Sequence, residues 1–503
     1  MNKRGEVMPD TAQLVLGADP YGQPVGQDLR LANRHGLIAG ATGTGKTVTL
    51  QRLSEAFSDA GVAVFAADIK GDLCGLGAAG NAQGKVAERI AGMPWLGHRP
   101  QGYPLVLWDI DGKSGHPLRT TLSEMGPLLL GNLLALTDSQ QSALYAAFKV
   151  ADREGLLLLD LKDLKALLNH LREHPNLLGE DAALLTAPSS QALQRRLAGL
   201  EQQGAEALFG EPALQLQDLL QPASDGRGRI HLLDASRLVH EAPKVYATFL
   251  LWLLAELFEQ LPERGDADKP VLALFFDEAH LLFGNTPQAL QQRLEQVVRL
   301  IRSKGVGVYF VTQSPGDLPD AILAQLGLRI QHGLRAFTAK EQRALRAVAE
   351  GFRPNPQFNS LSVLTELGIG EALVGTLQSK GTPAMVQRVL IAPPQSRIGP
   401  LNESERAAWV RQSPLAGHYD QAFDRESAYE RLAVRSVAAP AGEPPEPKTS
   451  SGADDFGDKA GAFLGGLAGR AMKNAMRQAA NQLGRQLLRG VMGSLLGASK
   501  KRR

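Results

Sequence analysis

A glycine-rich turn followed by a lysine and a threonine carries the clearest chemistry in the sequence. It follows a short apolar run, opens a predicted helix and reads Gly40, Ala41, Thr42, Gly43, Thr44, Gly45, Lys46 and Thr47. Glycines let backbone N–H groups converge on phosphate oxygens, and the helix N-terminus adds positive potential. We expect Lys46 to neutralise the β- and γ-phosphates of ATP and the Thr47 hydroxyl to bind Mg²⁺. Because the full G-x-x-x-x-G-K-[ST] spacing is present, a chance glycine turn is the less favoured alternative.

Two carboxylates end another apolar run. Asp277 and Glu278 follow residues 271–276, which have the composition of a buried strand. The carboxyl ends of parallel strands share one edge of a sheet, so we expect both residues beside the phosphate loop. Asp277 would hold Mg²⁺ through water, and Glu278 would polarise the attacking water as a general base. The alternative is a charged strand end that faces solvent.

Other polar residues end neighbouring runs. Gln313 follows an apolar run that we predict between the phosphate-loop strand and the Asp277 strand, where its amide would contact the γ-phosphate or the water. An ordinary turn residue would also fit there. Asp68 and Lys70 close a further run, and for them a role in orienting the water and a simple turn with a charge pair fit equally well. His280 has no second ligand at a suitable spacing, which favours packing or capping over metal binding.

The elements that must position these residues alternate between short apolar runs and helical stretches. This pattern predicts an α/β fold with a mostly parallel sheet. We predict the core in two parts, residues 1–120 and 226–435, separated by a helical insertion over 121–225, where apolar residues recur at intervals of three and four. Residues 436–460 are rich in Pro, Ala, Ser and Gly and predict a disordered linker. Residues 461–503 predict a basic amphipathic helical tail.

Composition narrows the class of protein. The chain has 503 residues, too many for one ordinary core. Its single cysteine, Cys74, excludes an intramolecular disulfide. There is no signal segment and no run of 18 apolar residues, so we expect a cytoplasmic location. Residues 461–503 hold nine Lys and Arg and no Asp or Glu, whereas the whole chain has a net charge of +2. The tail is therefore basic and the body mildly acidic.

Several segments together resemble a known family. They are GATGTGKT (40–47), DIKGDL (68–73), FFDEAHLL (275–282), IRSKGVGVYFVTQSP (301–315) and LRIQHGLR (328–335). They are similar to the HerA/FtsK branch of ring-forming, RecA-like P-loop ATPases, and closest to the bacterial YjgR group of HerA-like proteins. The resemblance covers about residues 10 to 435 and much less of the tail.

This resemblance implies a RecA-like core, hydrolysis of Mg²⁺–ATP and a homo-oligomer in the form of a hexameric ring acting on double-stranded DNA. In such rings one subunit supplies the phosphate loop and its neighbour an arginine finger, which can raise the rate roughly 10³- to 10⁵-fold. Arg302 matches the finger position, and Arg335 is a second candidate. The chain holds one complete phosphate loop, so a finger would come from another copy.

The sequence also departs from HerA and leaves alternatives open. A phosphate loop that begins at residue 40 leaves no room for the N-terminal β-barrel that recruits a nuclease in HerA, so no nuclease partner can be deduced. The winged DNA-reading domain of FtsK is not apparent. The letters DEAH at 277–280 suggest a two-lobed DEAH-box helicase as a second hypothesis. A third is an ATP-dependent switch or membrane-associated scaffold whose basic tail contacts anionic lipid or DNA.

Overall fold

A computed structural model describes residues 12–265, 267–284, 288–378 and 381–437. The predicted linker, apart from its first two residues, and the predicted tail lie outside the described residues. The strands are β1 (Gln13–Ala18), β2 (Pro24–Asp28), β3 (Gly36–Ala39), β4 (Ala63–Asp68), β5 (Leu105–Asp109), β6 (His116–Pro117), β7 (Ile230–Asp234), β8 (Leu272–Phe276), β9 (Val306–Thr312), β10 (Leu328–His332), β11 (Glu371–Gly375) and β12 (Gln387–Ile391).

Helices connect and cover these strands. They are α1 (Lys46–Asp59), α2 (Lys85–Ala91), α3 (Leu122–Leu133), α4 (Asp138–Glu154), α5 (Leu161–Glu173), α6 (Ala187–Gln202), α7 (Leu216–Leu220), α8 (Leu238–Glu241), α9 (Pro243–Gln260), α10 (His280–Phe283), α11 (Gln288–Ile301), α12 (Asp320–Leu323), α13 (Ala339–Glu350), α14 (Ser360–Glu366), α15 (Glu403–Gln412) and α16 (Ala428–Val437). Several 3₁₀ turns lie between them.

The strands of the described residues form one sheet with a parallel part and an antiparallel part. Their order is β2-β1-β12-β11-β10-β3-β9-β8-β4-β7-β5-β6. The strands from β10 to β6 in this order are parallel, whereas β11, β12, β1 and β2 join the other side through antiparallel pairs. The predicted mostly parallel α/β fold is therefore confirmed, and β9 lies between β3 and β8, as the sequence analysis expected.

Both faces of the sheet are covered, which explains why its central strands are apolar along their whole length. Side chains alternate across a strand. Leu37 and Ala39 of β3 belong to a core shared with α9, whereas Ile38 belongs to a second core shared with Leu50 and Leu53 of α1. The strand that carries the phosphate loop is thus fixed from both sides.

The helices α3 to α7 enlarge the first of these cores. Helix α5 buries Leu164, Leu167, Leu168 and Leu171 at the three- and four-residue spacing that predicted a helix. Asp160 caps its N-terminus by accepting from the backbone of the first turn. The sequence analysis missed α15 and α16. Helix α16 packs on α5. The N–H of Ala428, its first residue, donates to the carbonyl of Leu157, which precedes α5, at 2.9 Å.

Helix α9 contains the longest apolar run of the chain. It has 18 residues, and the side chains from Phe249 to Leu254 are all buried in the core. Among the described helices, none combines the length and the apolar character that crossing a bilayer would require.

A buried glutamate anchors α1, the helix that follows the phosphate loop. Glu55 is fully buried and accepts from the N–H groups of Gln395 and Ser396 at 3.0 and 2.9 Å. The Ser396 hydroxyl donates to it as well, at 2.6 Å. Burial raises the pKa of this carboxyl, while these hydrogen bonds act to lower it. The segment after β12 therefore fixes the C-terminal half of α1 through Glu55.

Candidate active site

The predicted phosphate loop connects β3 to α1 with a backbone that needs glycine. Gly40, Gly43 and Gly45 have φ angles of 153°, 78° and 114°, which side chains rarely tolerate. Lys46 is the first residue of α1, and its Nζ donates to the carbonyls of Gly40 and Ala41 at 2.6 and 3.1 Å. The lysine ammonium is therefore held over the loop itself.

The predicted carboxylate pair follows β8. The N–H of Glu278 donates to Asp277 Oδ1 at 2.9 Å, and Glu278 has a φ of 46°, an unusual conformation for a residue with a side chain. Glu278 Oε2 is buried and accepts no hydrogen bond within the described residues, although His280 Nδ1 lies 3.4 Å from it. Strain and an unsatisfied carboxylate oxygen are typical of functional positions.

The charged groups of the loop and of the carboxylate pair act on one another's pKa values. Burial raises the pKa of Asp277 to about 6, and the negative charge of Glu278 adds to this rise. The ammonium groups of Lys70 and Lys46 act in the opposite direction on the same carboxyl. Burial and the Lys70 charge lower the pKa of Lys46, while Glu278 and Asp277 oppose that decrease. The structure therefore brings together two cations and two carboxylates that the sequence analysis had assigned to one sheet edge.

Gln313 emerges between the loop and the carboxylates. Ala39 of β3 pairs with Thr312 of β9, and the N–H of Gly40 donates to the Thr312 carbonyl at 3.3 Å. On the other side, the N–H of Ala279 donates to the carbonyl of Val311 at 3.0 Å. Gln313 is exposed at this edge.

Asp68, at the end of β4, has an evident local role. Its side chain is buried and accepts from the N–H groups of Gly71 and Leu73 at 2.8 and 3.0 Å. Burial, together with the nearby Asp72 charge, raises its pKa to about 7. Asp68 therefore shapes the turn that carries Lys70, and Lys70 is exposed and close enough to Asp277 to affect its pKa.

The phosphate loop packs against residues that were not predicted to be near it. They are His332, Gly333 and Gly370, which we call the floor of the loop. His332, the last residue of β10, lies directly under the loop, because a Cβ added at Gly40 would be 2.5 Å from the His332 Cβ. Its Nδ1 lies 2.9 Å from the carbonyl of Glu371 and must therefore carry the proton, so Nε2 accepts from the Thr49 hydroxyl, also at 2.9 Å. Burial lowers the pKa of His332 to about 4, which keeps this tautomer neutral.

Backbone contacts complete the floor. The N–H of Ala41 donates to the carbonyl of Gly333 at 3.1 Å, and the N–H of Gly370 donates to the carbonyl of Thr44 at 2.9 Å. Gly370 has a φ of 76°, and a Cβ added at Gly45 would be 3.2 Å from its Cα. The turn before β11 thus supports the loop as closely as β10 does. The segment LRIQHGLR carried part of the family resemblance, yet its spacing gave no indication of this contact.

The two candidate finger arginines lie at opposite edges of the sheet. Arg302 precedes β9, whose seven residues span about 23 Å, so it is at the far edge from Gly40. Asn33 Nδ2 donates to the Arg302 carbonyl at 3.3 Å and holds this end of the strand. Arg335 is exposed just after β10, at the same edge as the phosphate loop. Arg302 therefore does not join the site of its own chain.

His280 begins α10, and its side chain is 45% exposed. Within the described ranges, no group of three or more His, Cys, Asp or Glu side chains is arranged to hold a metal ion. A divalent cation held by Thr47 and Asp277 would need further oxygen ligands, which a bound phosphate and water can provide.

Comparison with known proteins agrees with this geometry. A family model described as "Helicase HerA-like C-terminal" matches residues 13–502. No curated protein matches the chain.

Solved structures of TrwB share the fold. The bacterial conjugative coupling protein TrwBdeltaN70 is 14% identical, with a TM-score of 0.52 over 78% of this chain and 91% of its own. TrwB in complex with ADP and Mg²⁺ is 14% identical, with a TM-score of 0.51 over 74% of this chain and 89% of its own. VirB4 of Thermoanaerobacter pseudethanolicus is 17% identical and covers 76% of this chain and 97% of its own, with a TM-score of 0.48. At these identities the similarity to TrwB shows the fold alone.

The floor of the loop predicts the effect of one substitution. Thr49→Val keeps the shape of a fully buried side chain but leaves Nε2 of His332 without its donor. We expect the free energy of unfolding to fall by about 1–3 kcal/mol, the usual cost of an unsatisfied buried polar group. Urea unfolding followed by circular dichroism measures this. Thr49→Ser retains the hydroxyl and serves as the control. Equal stability of Thr49→Val and the unmodified chain would rule out the hydrogen bond.

Proposed function

The chain belongs to the family of HerA-like C-terminal helicase domains, and from this premise we propose that it is a Mg²⁺-dependent ATPase. The observation that supports the proposal most directly is the shared sheet edge. The glycine loop with Lys46 follows β3, and Asp277 and Glu278 follow β8, with β9 between the two strands. Binding and hydrolysis of a nucleoside triphosphate need these groups to face one another.

The residues fit a Mg²⁺–ATP complex. The loop N–H groups and the Lys46 ammonium bind the phosphate chain, and hydroxyl and carboxylate oxygens from Thr47 and Asp277 suit a hard cation. Bound Mg²⁺ supplies positive charge next to the β- and γ-phosphates. Asp277 is a half-buried carboxyl with a raised pKa, so a nearby cation would favour its ionised form. TrwB, which shares this fold, has been solved with ADP and Mg²⁺.

Glu278 is the proposed general base. Its Oε2 accepts no hydrogen bond within the described residues, which leaves it free to accept a proton from water. Gln313, exposed on the neighbouring strand end, would orient that water or contact the γ-phosphate. Asp68 is not assigned to the water, because both of its oxygens accept from the turn at Gly71 and Leu73.

We propose a homo-oligomer in which Arg302 acts on the nucleotide of a second copy. Arg302 is one strand length away from the phosphate loop of its own chain, so it can reach only a nucleotide that is bound to another copy. The family's hexameric rings provide the model for that assembly. Arg335, which is exposed at the edge that carries the phosphate loop, is the second candidate for this finger. The described strands form one sheet, which does not support the two lobes of a DEAH-box helicase.

Double-stranded DNA is the proposed polymer, and a cytoplasmic location is proposed with it. Both come from the family rather than from a surface of this chain. A contact of the basic tail with anionic lipid or DNA stays a prediction, because residues 461–503 lie outside the described part of the chain.

Two substitutions test the ATPase chemistry. Lys46→Ala removes the phosphate ligand, so we expect neither tight nucleotide binding nor hydrolysis. Glu278→Gln removes the base but leaves the loop, so we expect hydrolysis to fall at least about 100-fold while nucleotide binding persists. Phosphate release and titration with a fluorescent ATP analogue measure the two effects. Unchanged hydrolysis in Glu278→Gln would refute the role of Glu278.

The raised pKa of Asp277 predicts a pH effect. The carboxyl is ionised only above about pH 6, so cation affinity is expected at pH 7 to 8 and lost as the pH falls through 6. Below that pH, one competing proton weakens binding roughly tenfold per unit. Electron paramagnetic resonance of Mn²⁺, with no nucleotide present, measures this without interference from phosphate titration. Asp277→Asn should show weak binding at every pH, and a flat profile in the unmodified chain would contradict the assignment.

Mixing experiments test the role of Arg302 across copies. Arg302→Ala should hydrolyse ATP at least about 10³-fold more slowly while still binding it, since its loop is intact. Lys46→Ala keeps Arg302 but cannot bind ATP tightly. Mixed rings would contain some sites with an intact loop beside an intact Arg302, so activity should partly return. No recovery in rings shown by mass photometry to be mixed would exclude action across copies.

The response to DNA tests the motor. We expect double-stranded DNA to raise the ATPase rate several-fold and nucleotide to favour the larger assembly. The measurement is phosphate release with and without a linear duplex, beside the oligomer mass, and Lys46→Ala is the control for contaminating activity. An active ATPase that ignores DNA would retain the enzyme assignment and remove the DNA assignment.

A further inference from the structure

Five arginines line one cavity at the edge of the sheet opposite the phosphate loop. The cavity has a volume of about 420 Å³ and lies at the start of β3 and β10. The arginines are Arg34, Arg299, Arg302, Arg329 and Arg353. No Asp or Glu is among the described residues that line it. The cavity therefore concentrates positive charge in a concave space, where the field is strongest.

Arg329 is built into the floor of this cavity. Its guanidinium donates to the carbonyls of Leu323, Gly351 and Leu326 at 3.0, 3.1 and 3.4 Å. Burial lowers its pKa, and no carboxylate within the described residues pairs with it. Carbonyl dipoles hold the group in place but do not neutralise it. A fixed, partly buried charge without a counter-ion favours the arrival of an anion.

The end of α11 brings two more arginines to the cavity. Arg299 and Arg302 have no ion-pair partner among the described residues. The backbone next to them is fixed by His35, whose Nε2 lies 2.7 Å from the carbonyl of Val298 and whose Nδ1 accepts from the N–H of Val308 at 3.0 Å. Burial lowers the pKa of His35 to about 4, so this contact stays neutral. The two guanidiniums are thus positioned without being neutralised.

We propose that the arginine cavity binds a polyphosphate chain. Guanidinium groups bind phosphate oxygens through paired N–H donors, which suits arginine better than lysine. Arg299, Arg302, Arg329 and Arg353 have no ion-pair partner among the described residues. A single phosphate carries at most about two negative charges, so two or three linked phosphates match these four cations better. The volume also lies within the range of small-ligand sites, about 300–1,000 Å³, and exceeds what one phosphate needs.

The polyphosphate can come from two sources. One is a free nucleoside di- or triphosphate or an inorganic polyphosphate in solution, which would make the cavity a regulatory site of the single chain. The other is the nucleotide held by a second copy. The site itself rests on the cavity and does not depend on the proposed ATPase activity.

Tripolyphosphate is the probe for this site. Calorimetric titration uses the full chain carrying Lys46→Ala, so that the chain's own phosphate loop does not contribute. The protein is kept dilute enough that light scattering shows single chains. We expect one binding site per chain, with an affinity that falls as salt is raised, because charge dominates the contact. Failure of the ATPase assignment would leave this result unaffected.

Matched variants test which arginines bind tripolyphosphate. In the same background, Arg302→Gln and Arg353→Gln should each weaken tripolyphosphate binding at least about tenfold. Arg195→Gln and Arg196→Gln remove the same charge from an exposed part of α6 and should leave binding unchanged. Circular dichroism confirms folding, and two independent cavity variants guard against the failure of one.

The outcomes separate the two sources and define failure. Binding by single chains that the cavity variants weaken supports the free ligand. If single chains do not bind tripolyphosphate, but Arg353→Gln weakens nucleotide binding in assemblies with chains that keep Lys46, the second copy is the source. No binding in either state, or equal losses in the cavity and α6 variants, overturns the proposal.

Discussion

The parallel register of β3, β9 and β8 is the constraint on which the candidate site depends. Ala39 pairs with Thr312, and Phe276 pairs with Phe310, so the chain leaves all three strands at one edge. The residues that follow are Gly40, Gln313 and Asp277. A slip of one residue would exchange the two faces of a strand and shift its last side chain away from the others. Two apolar cores, one on each face, make such a slip costly.

The ionisable groups at that edge of the sheet lower the stability of the folded chain. Asp277 and Asp68 have pKa values raised mainly by burial, and burial lowers the pKa of Lys46. Each shift means that the ionised group is less stable in the folded protein than in water. The φ of 46° at Glu278 adds backbone strain. These costs are offset elsewhere by the large core and are relieved where a phosphate chain and a cation bring opposite charges to the site. A site arranged in this way has a physical reason to bind them.

Elements that depend on neighbouring residues were predicted from the sequence, whereas contacts between distant segments of the chain were not. The phosphate loop, the strands β3, β4, β8 and β9, and the helical insertion were predicted from apolar runs and glycine spacing, which act over a few residues. The floor of the loop could not be predicted in this way, because Thr49 and His332 are 283 positions apart and nothing in either segment indicates their hydrogen bond. The same is true of β12 and of the hydrogen bonds to Glu55, which join residues 340 or more positions apart. Arg302 was assigned a role only through resemblance, and three of its four arginine neighbours, Arg34, Arg329 and Arg353, come from separate parts of the chain.

Strand β9 runs from the arginine cavity to the candidate active site. It begins just after Arg302 and the arginine cavity and ends at Gln313, next to Gly40. Its seven residues are fully buried and paired on both sides, so it moves as part of the sheet rather than alone. Gln313 follows the same buried strand that Arg302 precedes, so the separation of the arginine cavity and the candidate active site is set by the length of one paired element of the sheet.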